Sequence, residues 1–273
     1  MLLLHDKLEN RFEIRGAVLM ETALHVGTGQ TSATTDAGVV RDFQGRPFIP
    51  GSSLKGALRS AVERRVEWLR LHSCYLKDRG CLGDVDERWR RSSLEDREAD
   101  MDVKLCAVCK LFGSTVLAGK LQIDDLLLEK HFQPLAHSLT EVRDGVAIDR
   151  DTGTAVDKGK FDYEVVPSLT AFRLYLTAEN VGAQDQALLA LALIEMMNGA
   201  VPIGGKSTRG LGRCRLVVES LYYFDFSKCT PLDSEILLQF LKPPDERREG
   251  KVENARGFLE ERIRLFLRGG NDA

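Results

Sequence analysis

The sequence predicts an α+β fold in which two helices alternate with the strands of one antiparallel sheet. Apolar and polar residues alternate over residues 12–20 and 171–177, as in half-buried strands. Residues 184–198 are almost entirely apolar, which indicates a deeply buried helix that ends near Gly199. Helical spacing of apolar residues over 53–70 supplies the other helix.

The remaining elements complete this arrangement. Strands are expected at 120–123 and 213–222. The resulting order of strand, helix, strand, strand, helix, strand is the split βαβ, ferredoxin-like (RRM-like) βαββαβ core. Such a sheet leaves one face open, and single-stranded RNA often binds there. The expected divisions are a main body over 1–241, with a cysteine-bearing, irregular insertion at 71–118 and a hairpin or protruding loop at 140–168, and a charged linker with a short helix over 242–273.

Composition excludes several classes of function. The 273 residues carry 38 Lys and Arg against 41 Asp and Glu, a net charge of −3, so any nucleic-acid binding must come from local basic patches. No apolar run is long enough to cross a bilayer, and residues 1–5 are too short for a signal peptide, so we expect a cytoplasmic protein that binds no membrane. Six cysteines in such a chain favour thiols or a metal site over a disulfide framework.

Residues 41–59 form the most informative segment. An extended stretch is expected to end just before Ser52 and Ser53, whose hydroxyls can cap a helix. Lys55 and Arg59 are four residues apart and leave the same helix face near its start. Cations beside the N–H groups of a helix start can bind an anion such as a nucleic-acid phosphate, although an ordinary solvated face remains the alternative.

A glycine-rich turn at residues 203–212 is the second segment of interest. Gly204 and Gly205 allow close approach of a ligand to the backbone, and Lys206 and Arg209 add positive charge. A Walker A loop is disfavoured, because the position of its first glycine holds alanine and the turn follows a helix instead of preceding one. A helix-to-strand turn without function is the remaining alternative.

Four cysteines lie within the predicted insertion. Cys106 and Cys109 have the spacing of a metal-binding knuckle, and Cys74 and Cys81 can complete a four-thiolate site, with His72 as a substitute ligand. Four soft ligands in a segment with little core favour structural zinc. A redox pair or buried thiols are the alternatives, but no thioredoxin-like βαβ unit surrounds the pair.

Taken together, these motifs resemble the RAMP superfamily of CRISPR systems, and most closely the backbone subunits of type III effector complexes. The resemblance extends from about residue 12 to about residue 222. It is carried by Pro-Gly-Ser-Ser-Leu-Lys-Gly-Ala-Leu-Arg at 50–59, the glycine-rich turn, Leu-His-Val-Gly-Thr-Gly at 24–29, Asp-Ala-Gly-Val-Val-Arg-Asp at 36–42, Gly-Val-Ala-Ile-Asp-Arg at 145–150 and Glu-Val-Val-Pro at 164–167.

The resemblance implies a palm with a protruding thumb, built into filaments of copies along a guide RNA. Its expected partners are the guide RNA (crRNA), the target RNA, other RAMP subunits and the large subunit of the complex. The hairpin around Ile148 would insert between bases, and related subunits carry zinc in the corresponding insertion. The residues expected to contact RNA are Arg41, Ser52, Ser53, Lys55, Arg59, Ile148, Gly204, Gly205, Lys206 and Arg209.

Asp36 is the catalytic residue that the resemblance implies, cutting the paired target RNA. A carboxylate can act as the base for a ribose 2′-hydroxyl or hold a divalent metal such as Mg²⁺. Spacing alone favours the alternative, in which Asp36 is a turn residue with its side chain in water. Two rival functions remain open: a non-catalytic guide-binding scaffold of the same fold, and a guide-precursor ribonuclease using His25, which is more simply a packed structural residue.

Overall fold

A four-stranded antiparallel sheet organises the computed structural model, which describes residues 7–29, 35–77, 81, 87–226, 234–243, 246–247 and 249–269. The strands are β1 (Asn10–Met20), β2 (Leu121–Ile123), β3 (Glu141–Ile148), β4 (Ala155–Val165), β5 (Ala171–Glu179) and β6 (Cys214–Asp225). The helices are α1 (Gly51–Glu63), α2 (Glu87–Arg91), α3 (Leu94–Lys104), α4 (Ala107–Phe112), α5 (Ala183–Met197), α6 (Ser234–Leu241) and α7 (Ala255–Gly269).

The main sheet has the strand order β2-β5-β1-β6, and every neighbouring pair is antiparallel. Alternate residues of β1, such as Phe12, Ile14 and Val18, are fully buried in one core together with apolar residues of α1 and α5. This core is what alternation in the strands and the apolar helix predicted. The predicted α+β class is confirmed.

Helix α5 lies within one residue of its predicted bounds and is anchored at its start. The Asp185 carboxylate accepts the Gly182 N–H at 3.1 Å and pairs with the Lys120 ammonium at 2.6 Å, where both side chains are buried. Gly199 follows the end of the helix with φ +73°, as a C-terminal stop requires. Helix α7 packs against α5.

The first helix departs from the prediction at both ends. It begins at Gly51 with Pro50 as its N-cap, so the predicted capping role of Ser52 and Ser53 is wrong. The Asp125 carboxylate accepts the Gly51 N–H at 2.8 Å, which lets the helix begin earlier and places both serines inside its first turn. The helix stops at Glu63, and a separate 3-10 turn over Val66–Leu69 continues the apolar pattern.

The insertion and the chain end are more ordered than predicted. The expected irregular segment contains α2, α3 and α4, and the predicted linker is packed, since Arg247 pairs with the buried Glu13 of β1 at 2.8 Å. Arg247 and Phe240 of α6 therefore partly cover the sheet face that is opposite α1 and α5. The cysteine at position 229 lies outside the described residues. None of the described helices combines the length and apolarity that crossing a bilayer demands.

Candidate nucleic-acid interface and thiolate centre

Four consecutive residues of β4, Phe161–Glu164, meet two loops at the base of the β3–β4 hairpin. Side chains alternate between the faces of a strand, so the rings of Phe161 and Tyr163 leave one face and the carboxylates of Asp162 and Glu164 leave the other. The rings meet the glycine-rich turn and the carboxylates meet the loop that carries Asp36. We call these four residues the hairpin-base segment.

Asp36 and Asp162 hold each other through a reciprocal pair of hydrogen bonds. The Asp36 N–H donates to Asp162 Oδ1 at 2.8 Å, and the Asp162 N–H donates to Asp36 Oδ2 at 3.0 Å. Hydrogen bonds from the Thr35 hydroxyl and the Asp36 N–H lower the pKa of Asp162. Asp36 itself is exposed to solvent. Its carboxylate is therefore both accessible and fixed against a strand.

Arg41 joins the same loop to the hairpin. Its guanidinium pairs with Glu164 and donates to Thr140 Oγ1 at 2.9 Å, while the other Glu164 oxygen accepts the Val39 N–H at 3.0 Å. Burial acts to raise the pKa of Glu164, but hydrogen bonds from Thr140, Val39 and Arg41 outweigh it and the pKa is lowered. Arg41, which the sequence predicts to contact phosphate, thus already binds oxygen atoms of the protein.

The glycine-rich turn places its two cations over the hairpin-base rings. Lys206 Nζ lies 4.5 Å from the centroid of the Tyr163 ring and 5.3 Å from that of Phe161, and the Arg209 guanidinium lies 5.5 Å from the latter. Such cation–π contacts leave the outer side of each cation available to an anion. Arg209 is exposed and Lys206 half-buried, so both can reach a phosphate.

The two glycines of the turn allow this approach. Gly204 has φ +81°, and a Cβ there would lie 2.3 Å from the backbone oxygen of His25. Gly205 donates its N–H to the same oxygen at 2.8 Å. The His25 ring is buried, with Nδ1 2.7 Å from the backbone oxygen of Glu164. These contacts account for His25 as a packing residue between the two loops.

Lys55 and Arg59 belong to a different neighbourhood. The Lys55 ammonium donates to the backbone oxygen of Leu121 at 2.7 Å, and burial followed by the charge of Arg59 lowers its pKa. Arg59 donates to Gly113 O at 2.8 Å and to Cys109 Sγ at 3.1 Å. Both cations that the helical spacing placed on one face therefore bind the segment that follows the cysteines. Ser52 is exposed and Ser53 half-buried at the start of the same helix.

The four predicted cysteine ligands come together. The sulfur atoms of Cys74, Cys81, Cys106 and Cys109 all lie within 4.8 Å of one another. Four sulfurs at about 2.3 Å from a tetrahedral zinc ion are about 3.8 Å apart, so this spacing fits a four-thiolate site. The Cys109 N–H points to Cys106 Sγ at 3.4 Å and the Cys106 N–H to Cys81 Sγ at 3.3 Å. His72 is exposed and is not one of the four.

Ile148 lies at the outer end of β3 and is 55% exposed. Val146 and Val156 are also exposed on this outer half of the hairpin. Exposed branched side chains on a two-stranded ribbon are available for contact with a partner. This outer apolar patch is separate from the hairpin-base segment, which lies near the main body.

Sequence reasoning missed the hairpin-base segment as a unit. The alternation of ring, acid, ring, acid in residues 161–164 was visible in the sequence. What the alternation faces is set by two loops that are distant along the chain, at 35–41 and 203–212, and spacing along the chain does not reveal those contacts.

Comparisons with known proteins agree with this architecture. The sequence model of the RAMP superfamily matches residues 19–215. A protein of Methanocaldococcus jannaschii named CRISPR system Cms endoribonuclease Csm3 is 28% identical over 218 residues, which cover 76% of this chain and 79% of that protein. The protein of the same name from Enterococcus italicus is 27% identical over 220 residues, covering 78% of this chain and 92% of that one.

Proposed function

This chain belongs to the RAMP superfamily, and on that premise we propose that it is a backbone subunit of a type III CRISPR complex that binds guide RNA and cleaves the paired target RNA through Asp36. The names of its relatives support an RNA-cleaving role. The strand order of the main sheet supports a ferredoxin-like palm over residues 1–241, with the β3–β4 hairpin as the thumb and residues 71–118 as the insertion.

The observation that carries the proposal is the hairpin-base segment. One strand holds an exposed carboxylate on one face and two cations on the other, at the root of a projecting hairpin. Among the predicted phosphate contacts, Arg209 is exposed and Lys206 lies over the same pair of rings, so we assign phosphate binding to these two. We assign Arg41 and Arg59 chiefly to holding loops in place, because their guanidinium groups already have protein acceptors.

The chemistry follows from this placement. RNA cleavage needs the 2′-hydroxyl deprotonated and in line with the neighbouring phosphorus, and a fixed carboxylate can accept that proton. A divalent ion such as Mg²⁺ held by Asp36 would supply charge stabilisation at the phosphate. Ile148 and the outer apolar patch would separate neighbouring bases and so permit the in-line geometry. Base pairing with the guide would select the sequence, while the protein contacts backbone and shape.

The four cysteines would hold a structural zinc ion that fixes the insertion against α1. Elemental analysis of protein purified without chelator should then find about one zinc per chain, because closed four-thiolate sites bind zinc tightly. Zinc near zero in such a preparation would contradict this part of the proposal.

The decisive experiment assembles the complex on a guide RNA and measures cleavage of a complementary RNA. Asp36→Ala should lower the cleavage rate by about 10² to 10⁴, the usual contribution of a positioned acid or base, with guide content unchanged. Glu67→Ala, which removes an exposed acid of the 3-10 turn outside the hairpin, is the control and should cleave as the unaltered protein does. Full cleavage by Asp36→Ala would overturn the catalytic assignment, and an unaltered complex that binds guide without cutting would indicate a scaffold.

A further inference from the structure

Asp36 lies outside the helices and strands, in the segment 35–50 that precedes α1. Asp36 is exposed, and Gly38 follows two residues later. An aspartate at such a place ordinarily samples several rotamers and backbone conformations, which is costly for a group that must meet one proton of a substrate. A catalytic carboxylate therefore needs a partner that fixes both its backbone and its side chain.

The structure assigns that task to Asp162: we propose that Asp162 is a positioning residue which orients the Asp36 carboxylate for cleavage of RNA. This inference rests on the proposed function of Asp36. Asp162 reaches Asp36 from a paired strand, since β4 is hydrogen-bonded to β3 along the whole hairpin base. The Ala37 backbone oxygen also accepts the Glu164 N–H at 2.9 Å, so the loop runs beside β4 for several residues.

The two hydrogen bonds between Asp36 and Asp162 have different roles. The bond from the Asp162 N–H to Asp36 Oδ2 orients the Asp36 side chain and comes from the backbone, so substitution at residue 162 does not remove its donor. The bond from the Asp36 N–H to Asp162 Oδ1 fixes the loop and depends on an acceptor oxygen in the side chain at residue 162. The Thr35 hydroxyl also bonds the Asp162 carboxylate and strengthens this anchor.

This division separates positioning from direct chemistry. An asparagine at residue 162 keeps an acceptor oxygen for the Asp36 N–H but cannot take a proton or bind a divalent ion as a carboxylate does. A positioning role therefore predicts that Asp162→Asn retains most of the cleavage rate, whereas Asp162→Ala does not. If Asp162 acted on the substrate or on a metal ion, both substitutions would be equally damaging.

The experiment uses the complete guide-loaded complex and a complementary RNA under single-turnover conditions. Asp162→Ala should lower the cleavage rate by about 10- to 100-fold, in line with the effect of an ångström-scale misplacement. Asp162→Asn should stay within about 3-fold of the unaltered protein, since the acceptor is kept. The control is again Glu67→Ala, outside the hairpin. Guide content and complex size, measured for every variant, separate misassembly from lost positioning.

A double substitution gives a second readout. Because Asp162 acts through Asp36, Asp36→Ala combined with Asp162→Ala should cleave no more slowly than Asp36→Ala alone, as expected for residues acting as a unit. Equal losses in Asp162→Asn and Asp162→Ala, or a further loss in the double variant, would overturn the positioning role. Full activity of Asp162→Ala beside an inactive Asp36→Ala would overturn it alone, whereas full activity of Asp36→Ala would remove the proposed function as well.

Discussion

Arg59 offers the sharpest test of how the helix α1 motif is used. The sequence predicted a phosphate contact, but the structure gives its guanidinium three protein acceptors: Glu63 at 3.0 Å, Gly113 O at 2.8 Å and Cys109 Sγ at 3.1 Å. The Arg59 side chain is only 14% exposed. We therefore predict that Arg59→Met weakens the thiolate centre and the fold more than it weakens RNA binding.

The magnitude can be estimated from these contacts. A hydrogen bond that involves a charged group contributes about 1.5–3 kcal/mol, and Arg59→Met also leaves the largely buried Glu63 carboxylate without its cation. Allowing for overlap among three bonds to one group, we expect a loss of about 3 kcal/mol in the free energy of unfolding. For a protein of this size that corresponds to a fall of about 6–12 °C in Tm.

The assay combines thermal unfolding with metal retention. Substituting a residue that contacts a metal ligand typically changes metal affinity by about 10- to 100-fold, so the proposed zinc ion should transfer faster from Arg59→Met to a coloured chelator. Arg256→Met is the matched control, because the same change at an exposed helix position removes only the pairs with Glu260 and Asn198. Its expected change in Tm is small.

The opposite pattern would refute the reasoning. If Arg59→Met kept its Tm and the proposed zinc ion but lost guide RNA, and if RNA binding by this variant were less salt-dependent than binding by the unaltered protein, then Arg59 would be a phosphate contact as the sequence suggested. Arg59→Lys should give an intermediate result, since lysine keeps the charge but lacks the planar guanidinium that reaches three acceptors.

The other predictions concern stability. Lys120→Met leaves the buried Asp185 carboxylate without its cation and should cost about 3–5 kcal/mol in denaturant titrations, an outcome contradicted by an unchanged midpoint. Because the pKa of Glu164 is lowered in the folded state, its pairing with Arg41 stabilises the protein above the ordinary glutamate pKa of 4.5, and this stabilisation is lost as the pH falls below that value. Glu164→Gln should therefore flatten the acidic part of a plot of Tm against pH. An equally steep plot for this variant would count against the pairing. Gly212→Ala should lower Tm markedly, since a Cβ there would lie 2.1 Å from a backbone oxygen at φ +80°, and normal stability would show that the turn adapts.

The elements that the sequence predicted well leave a pattern of apolar residues along the chain. Alternation placed β1 and β5, and the apolar run of residues 184–198 placed α5, because burial on one face or on all faces leaves its pattern along the chain. Helix α3 lacks such a pattern, because Met101 is its one buried residue and seven of its eleven residues are charged. A helix that is exposed on nearly every side carries no periodic apolar stripe, so the sequence predicts irregular chain in the insertion.

The candidate site divides in the same way. The four cysteines were found because metal ligation leaves a spacing signature, as in the pair Cys106 and Cys109. The roles of Arg41 and Arg59 could not be predicted, because the sequence shows the charge of an arginine but not the acceptor that folding brings to it. Asp162 was missed for the same reason: its partner Asp36 lies 126 residues earlier in the chain.

The two-residue period of the hairpin-base segment restricts how this protein can change in length. Inserting a single residue between Glu164 and Val165 would invert the hairpin-base segment, turning the rings toward Asp36 and the acids toward the glycine-rich turn. Changes at the tip, around residues 149–154, leave the base untouched. Homologous chains should therefore vary freely in hairpin reach while keeping the distance from the 161–164 segment to the main sheet constant, and engineered hairpins of new length should be grafted at the tip.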